Sequence, residues 1–233
     1  MSNPEQTQLA AKKNRDFFAD NDHYKDIQSE LEHYKFIALS ARNGIAGAGN
    51  LLDIGNGGVF IYKIDDVPSV TAIDIFVEES FSKRYPSVKW MEMSALKMPF
   101  VGEFDTAIEI NTLHHIIGRT VRQNYDNLSQ FFREVHRALK PNGRLVLLES
   151  TVSKWFLCIY NLIFPLFSRF WPFKHPPTYQ FHYRDLLKAA TASGFELCEF
   201  CWVPKTSDVL AFGIRLRPWM VPAKTAKMIF IKK

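Results

Sequence analysis

The sequence predicts an α/β chain with a doubly wound, mostly parallel sheet and an N-terminal helical cap. Three observations point there. From Leu51 onward, short apolar runs alternate with amphipathic stretches, the pattern of parallel strands joined by crossover helices. The first run, Leu51–Ile54, enters the glycine turn Gly55-Asn56-Gly57-Gly58, where the backbone can reverse tightly and approach a ligand with no Cβ in the way. If a helix follows the turn, its unpaired N–H groups point into it. Asp74 closes the next run about twenty residues on, where a carboxylate can take both hydroxyls of a ribose.

Taken in order, residues from about Gln8 to Asn43 carry a helical pattern with a break near Asp20-Asn21-Asp22. Ile27, Leu31, Tyr34, Ile37, Ala38 and Leu39 put an apolar stripe on one face, with Glu30, Glu32 and Lys35 outside it. The glycine-containing stretch Asn43 to Asn50 stops the helix. Strands are expected at Leu51–Ile54, Val70–Ile73, Val88–Met91, Phe104–Ile110 and Arg144–Glu149, and helices near Glu78–Lys83 and Asp126–Leu139. The second of these helices runs into Lys140-Pro141-Asn142-Gly143, a basic last turn and a tight reversal. Beyond it, Tyr183–Ser193 is amphipathic and stops at Gly194, while Phe195–Val203 and Lys227–Ile231 read as closing strands. Asp208 to Ala226 is a connection rich in aromatics and prolines.

At 233 residues, 47% hydrophobic and 23% charged, the chain has the length and composition of one folded domain. A formal charge of +5, spread along the chain, argues weakly for an anionic surface partner and supplies no basic stripe for nucleic acid. Cys158, Cys198 and Cys201 form no disulfide framework, which fits a reducing compartment. The polar stretch Met1 to Gln8 has no apolar signal region, so the expected location is cytoplasmic. Cys198 and Cys201 make a lone C-x-x-C inside an expected strand, where positions three apart face opposite sides. Packed or partly exposed thiols outweigh a metal site there, and no metal is expected.

Trp155 to Trp171 is almost wholly apolar, interrupted by Asn161, Pro165 and Arg169. It is too short and too interrupted for a bilayer span. Three readings compete: a lid or wall over an apolar substrate pocket, a core helix, or an interfacial segment that leaves a peripheral membrane contact open. Its place after the last parallel strand favours the lid. His175-Pro176-Pro177-Thr178 stiffens the exit.

With these pieces in order, the chain resembles a class I S-adenosylmethionine-dependent methyltransferase. Leu51 through Gly58 resembles that family's first motif, and Ala72-Ile73-Asp74-Ile75 resembles the strand ending in the ribose-binding acid. Met93-Ser94-Ala95-Leu96-Lys97-Met98-Pro99-Phe100 is similar to the adenine-flanking segment. Phe104 to Ile108, with Leu113-His114-His115-Ile116, is similar to the fourth strand and the start of the next helix. Arg137 through Val146 resembles the unit leading into strand five. The five lie in family order between Leu51 and Ser150. The resemblance implies a Rossmann-like sheet of seven strands with an antiparallel last strand. It divides the single domain into a helical cap (1–45), a cofactor core (46–150), an apolar lid or substrate segment (151–183) and a closing helix and strands (184–233). The branch it looks most like is bacterial, natural-product and small-molecule. Three departures stand out: Val59 at the third glycine position with Gly58 one place early, Ser94 where an acid is common, and Glu109-Ile110-Asn111 after strand four.

The family implies methyl transfer from S-adenosylmethionine, leaving S-adenosylhomocysteine, to an O, N or C atom of an apolar or aromatic small molecule. Asp53 with Gly55, Asn56 and Gly57 would then hold the amino acid end, and Asp74 with Ile75 the ribose. Ser94 and Ala95 would flank the adenine, and Glu109 and Ile110 would lie near the methionine or the substrate. His114 and His115 are the base candidates, since imidazole titrates near neutral pH, and neighbouring helix positions point about 100° apart, so one of the two is structural. Glu149 at the end of strand five faces the same crevice; a solvated strand-end charge is its plain alternative. His175, Tyr179 and His182 are second-line candidates. Competing functions are a methyltransferase-fold binding protein without turnover, a nicotinamide-dependent oxidoreductase, and methylation of RNA or protein. The oligomeric state is left open.

Overall fold

The computed structural model describes residues 31–169, 177–205, 208–211 and 214–233. The helical pattern expected before residue 31 and the candidate His175 lie outside them. Helices α1 (Glu32–Ile45), α2 (Glu79–Arg84), α3 (Val121–Ala138), α4 (Lys154–Arg169) and α5 (Tyr183–Ala192) flank the strands of one sheet. Its strands are β1 (Asn50–Ile54), β2 (Ser69–Asp74), β3 (Val88–Glu92), β4 (Phe104–Ile110), β5 (Leu139–Thr151), β6 (Phe195–Trp202) and β9 (Lys224–Lys232). They run in the order β3-β2-β1-β4-β5-β9-β6, with β9 antiparallel to both neighbours. The seven-stranded sheet with an antiparallel last strand is therefore as expected.

The alternation of side chains along β1 separates two cores. Leu51 faces Ile37 and Ala41 of α1, and Leu52 and Ile54 face Phe131, Phe132 and Val135 of α3. Helix α1 lies close on the sheet because Gly44 has no side chain; a Cβ there would stand 2.6 Å from Val146. His33 ties the same helix to the sheet edge, with Nδ1 3.0 Å from the Pro204 carbonyl and Nε2 3.2 Å from the Thr225 hydroxyl.

Several elements depart from expectation for local reasons. Helix α3 starts at Val121 rather than Asp126 because Thr120 and Gln123 form a capping box. Lys140 to Gly143 is not an open reversal but a bulge within β5. Pairing jumps from Phe104–Leu139 to Thr106–Arg144, and Asn142 takes φ 61°. Val209–Ala211 (β7) and Ile214–Leu216 (β8) pair as a small hairpin in the connection ahead of β9.

Behind the glycine turn, where a helix would have pointed its N–H groups at a ligand, no α-helix forms. Residues between Gly58 and Ser69 hold only a 3₁₀ turn at Ile64–Asp66. Two anchors keep this connection extended. Tyr62 donates its hydroxyl to Asp53 at 2.6 Å, and the Phe60 ring packs edge-on against Tyr62 and Tyr85. Val59 thus packs in a loop instead of starting a helix, and the turn has no helix N-terminus behind it.

Candidate active site

Strand β1 delivers a buried carboxylate and a turn to the carboxyl edge of the sheet, where open α/β folds bind ligands. Asp53 is buried and accepts hydrogen bonds from Tyr62 and, at 2.8 Å, from the Asn56 amide. Burial pushes its carboxyl up to about 6 against the pull of those two donors. Gly55, Gly57 and Gly58 all take positive φ, at 73°, 65° and 82°. Their surroundings differ. A Cβ on Gly55 would meet Thr112 at 2.2 Å and one on Gly58 would meet the Phe81 ring at 2.2 Å, whereas one on Gly57 would meet nothing within 4 Å. Packing explains the first and last glycines; Gly57 presents bare backbone to open space.

Asp74 at the end of β2 closes the turn from the other side. It accepts from the Gly57 N–H at 2.9 Å and the Phe76 N–H at 3.2 Å, and burial raises its carboxyl above the usual range. Ile75 follows it, half-buried. The Met93 N–H donates to the Asp74 carbonyl at 2.7 Å, which brings the Ser94–Ala95 segment alongside. Ser94 itself is exposed and uses its hydroxyl to accept from the Leu96 N–H at 3.2 Å, so in this structure it ties a turn. Ala95 is half-buried against the core.

The second group sits at the ends of β4 and β5. Leu113–His115 is a 3₁₀ turn, and helix α3 begins only at Val121, so the two histidines do not open a helix. Their rings do not diverge by the 100° of helix neighbours; they pack tilted with centroids 4.3 Å apart. His114 Nδ1 lies 2.7 Å from Glu149 Oε1. Glu149 is fully buried, which overturns the solvated alternative, and it also accepts from the Ser150 N–H at 2.6 Å. Glu109 is equally buried and accepts from the N–H groups of Thr112 and Leu113, holding the turn from beneath. Ile110 beside it is half-buried.

Burial and the neighbouring carboxylate of Glu149 raise Glu109 well above the carboxylate range. Burial takes Glu149 up to about 8 and His114 down to about 4. At neutral pH the Glu149–His114 pair therefore holds its proton on the carboxyl, and the nearby Glu109 carboxyl, raised in the same direction, disfavours ionisation of both acids together.

Thr112 joins the two groups, since its hydroxyl donates to the Gly55 carbonyl at 3.0 Å. Thr112, Tyr62 and Asn111 are the site residues that sequence reasoning missed. Asn111 takes φ 53°, and its Oδ1 is buried with no hydrogen-bond partner, as is Asn56 Oδ1. An asparagine just past a strand end, a residue type that tolerates positive φ, was the available signal. Tyr179 is buried, and its N–H donates to the His114 carbonyl at 2.9 Å, so it positions the turn. His182 caps α5 by accepting from the Arg184 N–H at 3.3 Å. Cys198 and Cys201 are exposed free thiols, and the described residues contain no cluster of metal-ligating side chains.

An acid at the end of β2, an open backbone cradle at Gly57, the orphaned Asn56 amide oxygen next to it and that of Asn111 just past β4 suit a ligand with ribose hydroxyls and an ammonium group. Residues 52–147 match the family model of the methyltransferase domain. A ubiquinone/menaquinone biosynthesis C-methyltransferase from Desulfotalea psychrophila is 30% identical over 134 residues, 54% of this chain and 49% of that protein. The chain spans about half the length of the curated relatives it matches. Among solved structures, a Burkholderia thailandensis 1,6-didemethyltoxoflavin-N1-methyltransferase, crystallised with 1,6-didemethyltoxoflavin and S-adenosylhomocysteine, aligns with a TM-score of 0.62. It shares 17% identity and covers 100% of this chain and 92% of its own. The [4+2]-cyclase SpnF aligns with a TM-score of 0.54 at 16% identity, covering 83% of this chain and 78% of its own.

Proposed function

We propose that this chain, which matches the methyltransferase domain over residues 52–147 and shares the fold of such enzymes, is a class I S-adenosylmethionine-dependent methyltransferase that methylates an O, N or C atom of an apolar small molecule beside His114. The observation that carries the reading is the 2.7 Å contact of His114 with buried Glu149, set next to a glycine turn closed by Asp74. Bound S-adenosylmethionine supplies an electrophilic methyl group on a sulfonium. Asp53, Asn56 and the Gly55–Gly57 backbone would hold its amino acid end, with Ile110 near the methionine or the substrate, Asp74 and Ile75 its ribose, and Ser94 and Ala95 its adenine side. Glu109 keeps the His114 turn in place rather than touching the cofactor.

The chain's own chemistry is positioning and proton removal. When Glu149 is ionised it accepts the His114 Nδ1–H, which fixes the tautomer and leaves Nε2 with a lone pair for the acceptor's proton. When Glu149 holds its proton it donates to Nδ1 instead, and Nε2 carries the hydrogen. The base form therefore grows as the pH rises through about 8, the value to which burial takes Glu149. His115 packs on His114 and limits its rotation. The acceptor lies beside this group, toward the described residues 151–169 and 177–183. The first compounds to try are demethylmenaquinone, in the names of two curated relatives, and 1,6-didemethyltoxoflavin.

Titration calorimetry with S-adenosylmethionine and S-adenosylhomocysteine is the direct test. The native chain is expected to bind both. Gly57→Ala costs about 1 kcal/mol of stability at its positive φ yet weakens cofactor binding by roughly tenfold or more, because the new Cβ enters the cradle. A folded native chain that binds neither compound ends the proposal. With an accepted substrate, kcat/KM should climb through about pH 8 in the native chain and lose that limb in Glu149→Gln.

A further inference from the structure

Helix α4 is apolar on two opposite sides. At about 100° per residue, Leu157, Tyr160, Asn161 and Phe164 share one side, and Trp155, Ile159, Leu162 and Leu166 share the side about 180° away. The first stripe is core: Leu157 and Phe164 are buried, and Tyr160 and Phe164 pack on Tyr179. The second stripe faces outward, with Trp155 66%, Leu162 83% and Leu166 67% exposed. No acidic residue occurs in Lys154–Arg169. A chain that only needed a core helix would carry polar residues on that outer side.

A second apolar projection stands at the same end of the molecule. Trp219 is 83% exposed in the 3₁₀ turn Pro218–Met220, and Met220 beside it is also exposed. Thr151, the last residue of β5, pairs with Lys224, the first of β9. Helix α4 starts just beyond Thr151 and the turn ends just before Lys224, so both rise from the carboxyl end of β5, where Glu149 and His114 lie. Trp202, exposed at the end of β6, pairs with Ala226 at that same edge, and the Lys224 ammonium sits 6.0 Å over its ring.

The part of the sequence that carries these side chains is also the basic part. Residues 151–233 contain twelve Lys and Arg against four Asp and Glu, whereas residues 1–150 contain seventeen against twenty. Some of these cations are committed elsewhere, Lys227 to Glu199 and Arg215 and Arg217 to Asp208, but Lys154, the first residue of α4, and Lys224, over the Trp202 ring, stand at the end that carries the exposed apolar side chains. Apolar side chains flanked by tryptophans and cations are what the boundary between headgroups and acyl chains accommodates, and cations add attraction for anionic lipid.

We propose that the outer face of α4, with Trp219 and Met220, docks on the surface of an anionic lipid bilayer. No described helix is long and apolar enough to cross a membrane, so the contact is peripheral. The docking stands on the stripe and the charge alone. Its consequence, delivery of a lipid-dissolved acceptor to His114 without passage through water, rests on the function proposed above.

The test is co-sedimentation of the full chain with phosphatidylcholine vesicles, with and without phosphatidylglycerol, at low and high salt. Binding to the anionic vesicles, weakened by salt and weak on pure phosphatidylcholine, is expected. Leu162→Glu with Leu166→Glu should lower partitioning at least roughly tenfold. Both side chains are exposed, so the thermal midpoint and S-adenosylmethionine affinity should stay unchanged. A chain that stays in the supernatant with every vesicle overturns the proposal, as does a double variant that binds like the native chain. Equilibrium sedimentation showing a dimer that the double variant splits also overturns it, because a second copy then covers the stripe. Failure to methylate any acceptor would remove the function while leaving vesicle binding intact.

Discussion

Glu149 and His114 respond to burial in opposite senses, and their linkage to folding has opposite signs. Glu149 moves from its ordinary 4.5 to about 8. The folded state keeps a proton that the unfolded chain releases, so stability falls as the pH rises from 4.5 through about 8. His114 moves from 6.5 to about 4, and stability rises with pH across that interval. The two oppose each other below pH 6.5, and above it only the carboxyl loss remains. The thermal midpoint should therefore fall between pH 6.5 and 8, and Glu149→Gln should fall less steeply; equal slopes in the two proteins would refute the assignment. Tyr62→Phe removes a donor from buried Asp53 and should cost about 1–3 kcal/mol in urea unfolding. Asp53 was legible from the strand-and-turn pattern. Tyr62 was not, because nothing in a run of apolar residues announces a hydroxyl bonded nine positions back.

At the scale of the element, boundaries follow caps more than hydrophobic pattern. Thr120 accepts from the Gln123 N–H at 3.2 Å, and Gln123 Oε1 accepts from the Thr120 N–H at 3.3 Å; α3 starts there. Thr120→Ala should cost about 1 kcal/mol, read as a lower urea midpoint with an unchanged m-value. The Thr-x-x-Gln was readable in the sequence, but it stands before Val121–Tyr125, where the apolar period is weak. A helix behind the glycine turn, left conditional by the sequence, is absent for a different reason. Its candidate residues were claimed by Asp53 and by the ring cluster of Phe60, Tyr85 and Trp90, contacts made across strands that local propensity does not contain. Helix α4 was legible as apolar but ambiguous as lid, core or interface. The structure assigns its inner stripe to the core and leaves the outer one exposed.

For the whole molecule, β9 is the strand on which closure depends. It is the last in sequence yet lies inside the sheet, antiparallel to β5 and β6. A chain ended after Ala223 would leave β6 without a partner and β5 with an open edge. It is expected to show no cooperative thermal transition, which calorimetry would check. The same strand brings Thr225 to His33 of α1 and Lys224 to Trp202, so one late segment joins the first described helix, the sheet edge and the exposed apolar face.

What the sequence determined by itself was the class of fold, the order of its motifs and the cofactor they imply. Those rest on alternation, glycine turns and spacing, which act over short stretches of chain. What only the tertiary structure decided was the company each residue keeps. Burial makes Glu149 and Glu109 reluctant acids, a tyrosine closes on Asp53, Gly57 alone of the turn glycines faces open space, and one side of α4 stays uncovered. Proton affinity and exposure depend on distance and local dielectric among residues far apart in the chain, and these exist only once the sheet has assembled.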